Sequence, residues 1–242
     1  MLYENERIDD LHRKGYKIIQ NTKGFCFGID AVLLSGFAKV KKGETALDLC
    51  TGTGIIPILL EAKTNGEHFS AIEIQPNIAD MARRSVRLNS LEDKIDIITG
   101  DIKQCTDYFR QNIFNVITCN PPYMVTGTGY INESSPKAIS RHEILCSIDD
   151  VFASADKMLK YGGRMYMVHR CERLADIFNS ARNHHIEPKV MQLVEPYRGK
   201  ASDLVLLEFS KGGKPGLKLL PVLTIYNSDG SYTEEVYNIY YN

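Results

Sequence analysis

The sequence predicts an α/β fold, a doubly wound sheet whose strands run mostly in parallel. Apolar runs typical of buried strands alternate with helical patterns in four successive units. A glycine-rich turn joins the first run to its helix. Each unit also places a polar residue at or just after the end of its strand, and these four are Asp48, Glu73, Asp101 and Asn120. Because parallel strands end at one edge of a sheet, we expect the four side chains to converge there.

The residues before the first unit are predicted to carry little regular structure. Residues 1–15 are polar and irregular, and residues 16–20 (YKIIQ) favour a short strand. Phe25 and Phe27 alternate, which puts both rings on one face, and a hairpin packed on the core explains them equally well. Asp30 is expected to cap an apolar helix over residues 31–38.

The first unit indicates the kind of ligand at this edge. Residues 44–49 (ETALDL) predict a buried strand that runs into the turn CTGTG, followed by a helix through Ala62. A glycine turn in this position lets the backbone approach a cofactor closely. Pro57 stands where a dinucleotide fingerprint has its third glycine, which disfavours NAD. Asp48 would repel a phosphate here, so it favours a cationic or amino-bearing ligand.

The second unit has the spacing of one βαβ unit. Residues 69–74 (FSAIEI) predict a strand with Glu73 near its carboxyl end, 25 residues after Asp48. An acidic residue at this strand end typically binds a ribose diol, although a solvated glutamate is the alternative. The next helix opens at Pro76 and runs to about residue 89. Its basic side, which contains Arg83, Arg84 and Arg87, is expected to face solvent.

The third and fourth strands, residues 95–99 and 114–119, lead into polar turns. After the third, Asp101 either accepts from an exocyclic amine or caps the next helix, and both interpretations stay open. After the fourth, Asn120 offers an amide acceptor, and Pro121 stiffens the chain without offering a donor. Tyr123 adds an aromatic face. The set suits a planar nitrogen substrate, and a rigid polyproline turn is the alternative.

The rest of the chain predicts a polar loop and then the end of the sheet. A loop over residues 124–142 precedes a helix over 147–160, which Gly162 and Gly163 are expected to end. A strand over residues 164–169 should follow, and then a helix that runs to about residue 184. The strands over 190–194 and 204–209 are expected to form the closing antiparallel pair. A basic loop (YRGK) separates the closing strands. A further strand and a tyrosine-rich tail come last.

Composition narrows the partners and the compartment. The chain has 242 residues and a net charge of −1, so nucleic acid would need a local basic patch. Its six cysteines include no Cys-x-x-Cys pair, which argues against a zinc site or a disulfide framework and for a reducing compartment. No run has the length of a signal core or a membrane span. We expect a soluble, cytoplasmic monomer without a metal.

Taken in order, these motifs resemble those of the class I S-adenosylmethionine-dependent methyltransferases. Residues 48–54 (DLCTGTG) look like the first motif of that family, Glu73 like its ribose acid, and Asp101 like its adenine contact. Residues 120–123 match the Asn-Pro-Pro-Tyr signature of members that methylate planar amino or amide nitrogens. The resemblance implies a Rossmann-like, mostly parallel seven-stranded sheet with an antiparallel C-terminal strand pair.

The resemblance also implies a cofactor, S-adenosylmethionine, and assigns residues to it. The expected cofactor-binding residues are Asp48, Gly52, Gly54, Glu73, Ile74, Asp101, Ile102 and Asn120. The expected catalytic residues are Asn120, Pro121 and Tyr123. Many members have glycine where this chain has Cys50, so the loop is expected to be tighter here.

Stretches near both ends are similar to the bacterial tRNA adenine N6-methyltransferases, whose target is an adenine beside the anticodon of a valine tRNA. These stretches are residues 6–11, 25–34, 141–143 and 229–233. The likeness implies one methyltransferase domain over 1–242, with an N-terminal extension (1–24) and a C-terminal tail (211–242). The residues expected to contact the tRNA are Phe27, Tyr123, Lys137, Arg141, His142, Arg198 and Lys200.

Two other functions stay open. A protein glutamine amide is also planar, so the same tetrapeptide would suit its N5-methylation. Such enzymes usually carry a sizeable helical domain before the core, whereas only residues 1–24 precede it here. A cofactor- or RNA-binding module without activity is the other, but it would be expected to lack some of the four edge residues. A DNA adenine enzyme is disfavoured because no recognition-domain insertion is found.

Overall fold

The computed structural model describes residues 2–24, 26–122 and 146–241. Its strands are β1 (Glu6–Asp10), β2 (Lys17–Asn21), β3 (Thr45–Leu49), β4 (His68–Glu73), β5 (Ile95–Thr99), β6 (Phe114–Cys119), β7 (Leu159–Arg170), β8 (Ile186–Tyr197), β9 (Leu204–Lys211), β10 (Lys218–Leu219) and β11 (Leu223–Tyr226). Its helices are α1 (Ile29–Phe37), α2 (Ile55–Lys63), α3 (Pro76–Leu88), α4 (Cys105–Tyr108), α5 (Ile148–Met158), α6 (Leu174–Asn183) and α7 (Glu234–Tyr241).

The main sheet has the order β10-β8-β9-β7-β6-β3-β4-β5, and β11 also pairs with β8. Strands β3 to β7 pair in parallel, whereas β9 is antiparallel to both β7 and β8. This arrangement confirms the predicted mostly parallel sheet with an antiparallel C-terminal pair. Strands β3 to β9 are the seven expected strands, and the short β10 and β11 extend the sheet.

Two hydrophobic clusters cover the two faces of this sheet. One cluster contains apolar residues of α1, α2 and α3, and the other contains those of α4, α5 and α6. Because side chains alternate along a strand, Ala46 joins the first cluster, and Leu47 and Leu49 join the second. Asp48 therefore faces the same side as α1 and α2. No helix among the described residues is long and apolar enough to cross a membrane.

The N-terminal hairpin departs most from the prediction. Residues 1–15 were expected to be irregular, yet β1 pairs with β2 over five residue pairs, from Glu6–Asn21 to Asp10–Lys17. Arg84, predicted to be solvated, instead forms ion pairs with Glu6 at 2.6 Å and with Asp80 at 2.8 Å. The side chains of Arg84 and Glu6 are only 9% and 4% exposed. Backbone pairing with β2 and the ion pair between Glu6 and Arg84 hold β1 in place. Because these contacts require no apolar alternation, the polar sequence of β1 does not predict a strand.

Replacing Arg84 by Met is expected to destabilise the protein by about 3 kcal/mol, because Glu6 would be left buried without its cation. The ion pair lowers the pKa of Glu6 below its usual 4.5. Its contribution is therefore present above pH 4.5 and is lost as the pH falls through the folded-state pKa. Urea unfolding at pH 7 and at pH 3 measures both effects. Arg87→Met, on the exposed side of α3, is the control and should shift stability by under about 0.5 kcal/mol. An equal loss in both variants would contradict the assignment.

Three further boundaries differ from the prediction. Gly28, not Asp30, is the N-cap of α1, and Asp30 lies in its first turn. Gly162 and Gly163 do not end a helix, because α5 ends at Met158 and both glycines lie within β7. They lie where the register of β7 against β6 shifts, and Gly162 has a φ of +75°, as a bulge requires. The tail contains the helix α7, which was not predicted because most of its residues are weak helix formers.

Candidate active site

Asp48 is the most deeply buried carboxylate at the carboxyl edge of the sheet, with 2% of its surface exposed. It lies directly beside Thr118 of β6, whose hydroxyl donates to Asp48 Oδ1 at 2.6 Å. Asp48 Oδ2 is buried and accepts no hydrogen bond from any described residue. Burial raises the pKa of Asp48 to about 7, and the negative charge of Glu73 adds to this rise, whereas the hydrogen bond from Thr118 lowers the pKa. The nearby Thr51 hydroxyl also lowers it, although its oxygen is buried without a hydrogen-bond partner among the described residues. Buried polar atoms are usually hydrogen-bonded, so this oxygen is available to accept from a ligand.

The loop from Cys50 to Gly54 is folded tightly between β3 and α2. The Thr51 N–H donates to the Ile72 carbonyl at 3.0 Å, and the Gly54 N–H donates to the Thr51 carbonyl at 3.1 Å. Gly52 has a φ of +59°, and a Cβ placed on it would meet no atom within 4 Å. The space above Gly52 is therefore open to a ligand that approaches the backbone. Gly54, at φ +83°, is the N-cap of α2 and packs near Ala82.

Cys50 occupies the left-handed region, with a φ of +59°. This conformation favours glycine and costs other residues of order 1–3 kcal/mol. The sequence expectation of a tighter loop is consistent with this strain. The loop keeps the conformation that a glycine would adopt, although the residue here is cysteine.

Glu73 ends β4 and connects the glycine loop to the turn that follows. Its Oε2 accepts the Gly52 N–H at 2.9 Å, and its Oε1 accepts the Gln75 N–H at 3.0 Å and Gln75 Nε2 at 3.1 Å. Ile74 is half-buried beside it. The carboxylate therefore fixes the loop by hydrogen bonds and is itself held in one orientation.

Asp101 caps the 3₁₀ turn Ile102–Gln104. Its Oδ1 accepts the Lys103 N–H at 3.0 Å, and its Oδ2 lies 3.4 Å from Lys103 Nζ. Of the two roles that the sequence left open, the cap is present, and a contact with an exocyclic amine stays a prediction. Ile102 is buried in the hydrophobic cluster that also contains α4, α5 and α6, and its contact with a cofactor stays a prediction.

Asn120 follows β6 and is held by a residue from a different part of the chain. Its Nδ2 donates to Asp30 Oδ2 at 3.1 Å. Since the amide nitrogen faces Asp30, the amide oxygen faces the other way and is oriented as an acceptor. A Cβ on Gly28 would lie 2.6 Å from Asp30 Oδ1, so glycine there leaves room for the carboxylate. Sequence reasoning took Asp30 for a cap and missed this contact, because 90 residues separate the partners.

Of the remaining predicted residues, those that the structure describes lie in three places. Pro121 is buried next to Asn120. Phe27 packs against the first hydrophobic cluster. With Val32 and Tyr240 it lines a small cavity. Arg198 and Lys200 are exposed on the loop between β8 and β9. Tyr123, Lys137, Arg141 and His142 lie outside the described residues.

Three cysteines meet at the same edge, which their scattered positions had not suggested. Cys50 Sγ lies 3.9 Å from Cys146 Sγ, and the Cys119 thiol also interacts with Cys50. The Cys119 contact raises the pKa of Cys50, burial raises that of Cys119, and the Cys50 contact raises that of Cys146. The thiols are therefore neutral near pH 7. Within the described ranges, no group of three or more His, Cys, Asp or Glu residues has the arrangement of a metal site.

Comparison with known proteins places this geometry among methyltransferases. Residues 28–182 match the model of the methyltransferase small domain. The chain is 23% identical over 208 residues to a protein of Aeromonas hydrophila named tRNA1(Val) (adenine(37)-N6)-methyltransferase, covering 86% of this chain and 85% of that one. It is 27% identical over 228 residues to a protein of Histophilus somni with the same name, covering 92% and 91%.

Solved structures share the fold at lower identity. A predicted O-methyltransferase from Agrobacterium tumefaciens superposes with a TM-score of 0.71 at 19% identity, over 87% of this chain and 94% of that one. TYW2 of M. jannaschii, solved in complex with AdoMet, gives a TM-score of 0.57 at 14% identity, over 87% and 90%. At these identities the likeness concerns the fold alone.

Proposed function

This chain belongs to the methyltransferase small domain family, and on that premise we propose that it transfers a methyl group from S-adenosylmethionine to the exocyclic N6 of an adenine in tRNA. The observation that carries the proposal is the fixed amide of Asn120. Its oxygen is oriented as an acceptor at the edge where β3 ends one residue after Asp48 and β4 ends at Glu73. The names of the relatives support an adenine beside the anticodon of a valine tRNA as the target.

The residues at the edge fit S-adenosylmethionine by the chemistry of their donors and acceptors. Asp48 Oδ2 has no partner among the described residues and would accept from the amino group of the cofactor. Among the residues that the structure describes, Glu73 Oε2 accepts only the Gly52 N–H, so it keeps a lone pair for a ribose hydroxyl. The open space above Gly52 would admit the cofactor close to the backbone. When bound, the cofactor supplies an electrophilic methyl group on a sulfonium, whose charge is lost on transfer.

Adenine N6 is a poor nucleophile, because its lone pair is delocalised into the ring. The protein must therefore activate N6 for attack on the methyl group. We propose that Asn120 Oδ1 and the Pro121 carbonyl each accept one N6–H. Two acceptors in these positions favour a more tetrahedral nitrogen, and this helps catalysis because the contacts strengthen in the transition state. The positive charge would pass from sulfur to N6 as the methyl group is transferred, which makes the remaining N6 protons acidic. One of them would then be lost to water, so a strong base is not required beforehand.

The target base must also be presented. An adenine stacked in its loop has to be flipped out, which costs a few kcal/mol. Tyr123 is proposed to stack on the flipped base, a contact worth about 1–3 kcal/mol. Lys137, Arg141 and His142, together with Arg198 and Lys200, are proposed to contact the RNA.

The experiment is methyl transfer from labelled S-adenosylmethionine to bacterial tRNA that lacks the modification, beside a release-factor protein as the competing substrate. We expect label in tRNA, recovered as N6-methyladenosine. Label in the protein would move the assignment to glutamine N5-methylation, which the same acceptor geometry would serve. Label in neither, with the cofactor bound, would exclude both substrate classes.

A further inference from the structure

A series of tyrosine rings in contact runs along the C-terminal end of the chain. Tyr197 ends β8 and Tyr226 ends β11, and their ring centroids are 5.6 Å apart. Tyr226 stacks on Tyr232 at 5.5 Å with an interplanar angle of 16°, and Tyr232 stacks on Tyr240 at 5.1 Å with an angle of 15°. The inner rings pack the tail onto the domain. Tyr197 stands at the end of the series with 42% of its surface exposed.

The turn that follows Tyr197 is held rigidly. Glu195 is buried and its Oε2 accepts the Gly199 N–H at 2.9 Å, whereas its Oε1 accepts the Thr224 hydroxyl at 2.7 Å. The Lys200 N–H donates to the Tyr197 carbonyl at 3.0 Å, and Gly199 has a φ of +78°. This buried carboxylate therefore fixes both the turn and β11 and so determines where the tip of the turn points.

The tip of this turn is basic. Arg198 and Lys200 are exposed, and neither forms an ion pair with any residue that the structure describes. Tyr197, Arg198 and Lys200 thus form one small surface, named here the Tyr197 surface. An exposed aromatic face beside free cations is the combination that binds unpaired nucleotides.

The Tyr197 surface lies at the same edge of the sheet as Asn120. Strand β8 is antiparallel to β9, and β9 is antiparallel to β7, so β8 ends at the edge where the parallel β6 and β7 end. Three strand spacings separate β6 from β8, which is about 14 Å across the sheet. The pairings of Cys119 with Met167 and of Arg170 and Val194 with Leu204 place Tyr197 five residues, or about 17 Å, farther along the strand direction than Asn120. Arg170, at the end of β7, lies between them. One RNA loop would span both places.

We propose that the Tyr197 surface binds a second unpaired nucleotide of the substrate RNA, with its base on the outer face of Tyr197 and its phosphate on Arg198 and Lys200. The inference rests on the proposed function, because it assumes an RNA substrate. It assigns the turn after β8 to recognition of the loop beside the reacting adenine. A fully base-paired RNA would gain nothing from the aromatic face, since its bases are already stacked.

The test measures binding of an unmodified anticodon stem-loop, labelled for fluorescence anisotropy, and of a fully paired stem of the same length. Tyr197→Leu should weaken loop binding about 10-fold and leave stem binding unchanged, whereas Tyr197→Phe should bind the loop like the wild type. Tyr161→Leu is the matched control, since Tyr161 is 82% exposed near the start of β7, at the opposite edge of the sheet. Thermal melting checks that each variant folds.

A second pair of variants tests the cations. Arg198→Gln combined with Lys200→Gln should reduce the slope of log affinity against log salt by about 1.4 for the unpaired loop. Unchanged loop affinity in Tyr197→Leu, or an equal loss for loop and stem, would overturn the inference. If the wild type methylates tRNA while Tyr197→Leu binds normally, only this inference fails. If Tyr197→Leu alone loses loop binding but the wild type methylates no RNA, the surface stands and the proposed function fails.

Discussion

Replacing Asn120 by Ala is expected to lower the rate of methyl transfer at least 1000-fold while cofactor binding is unchanged. The substitution removes the oriented amide oxygen, and losing a single preorganised hydrogen-bonding group costs about 100- to 1000-fold in comparable sites. Here the loss also removes the hydrogen bond from Asn120 Nδ2 to Asp30 Oδ2 at 3.1 Å, which holds residues from two parts of the chain together at this edge. Single-turnover rates with labelled cofactor measure the transfer, and calorimetry measures cofactor binding. Unchanged turnover would rule out the proposed role of Asn120.

Asp30 provides the companion variants, because it accepts from Asn120 Nδ2 and is proposed to hold that amide in position. Asp30→Ala should lower kcat about 10- to 100-fold with little change in the KM for RNA, since the amide would no longer be held in one orientation. Asp30→Asn keeps an oxygen that can accept from Asn120 Nδ2, so it should recover part of the rate. A purely structural role predicts equal losses for both variants, together with lower melting temperatures, and that result would contradict positioning.

Replacing Asp48 by Asn is expected to stabilise the free protein above pH 7 and to weaken cofactor binding about 10- to 100-fold. The pKa of Asp48 rises from 3.8 to about 7 on folding. The native state therefore holds this proton longer than the unfolded chain, so the stability of the wild type falls as the pH rises from about 4 to about 7 and then levels off. The neutral amide avoids this loss, which is of the order of 2–4 kcal/mol.

Urea unfolding across this pH range and calorimetry of cofactor binding measure the two effects of Asp48→Asn. The gain in stability should be absent at pH 4 and complete at pH 8. Asp93→Asn, in the exposed turn before β5, is the matched control and should change neither quantity. A gain that does not depend on pH, or unchanged affinity for the cofactor, would show that the buried charge does not serve binding.

The sequence predicted correctly those features that depend on one strand alone, namely where a strand ends and which polar residue stands at that end. Strands β5 and β6 have the predicted ends, because apolar runs bounded by turn residues predict buried parallel strands well. Asp48 and Glu73 could be placed at one edge for the same reason. The polar β1 could not be predicted, because its partners are the backbone of β2 and the side chain of Arg84.

The contacts across the site were out of reach of the sequence. The bond between Asp30 and Asn120, and the meeting of Cys50 with Cys146, join residues 90 and 96 positions apart. Local spacing carries no signal for such pairs, and Asp30 looked like an ordinary helix cap. Gly28 was the available clue, since glycine immediately before a helix leaves room for a neighbouring side chain.

The pairing of β3 with β6 also determines when the chain acquires its site. Asp48 and Thr118 are neighbours across this seam although 70 residues separate them in sequence. Pairings of such separation form late in folding, because the entropy of closing the intervening loop is lost before the contact is gained. A nascent chain that stops before β6 therefore contains the glycine loop and Glu73 but lacks Thr118, which donates to Asp48, and Asn120, which donates to Asp30. The step that closes the sheet is also the step that creates the site.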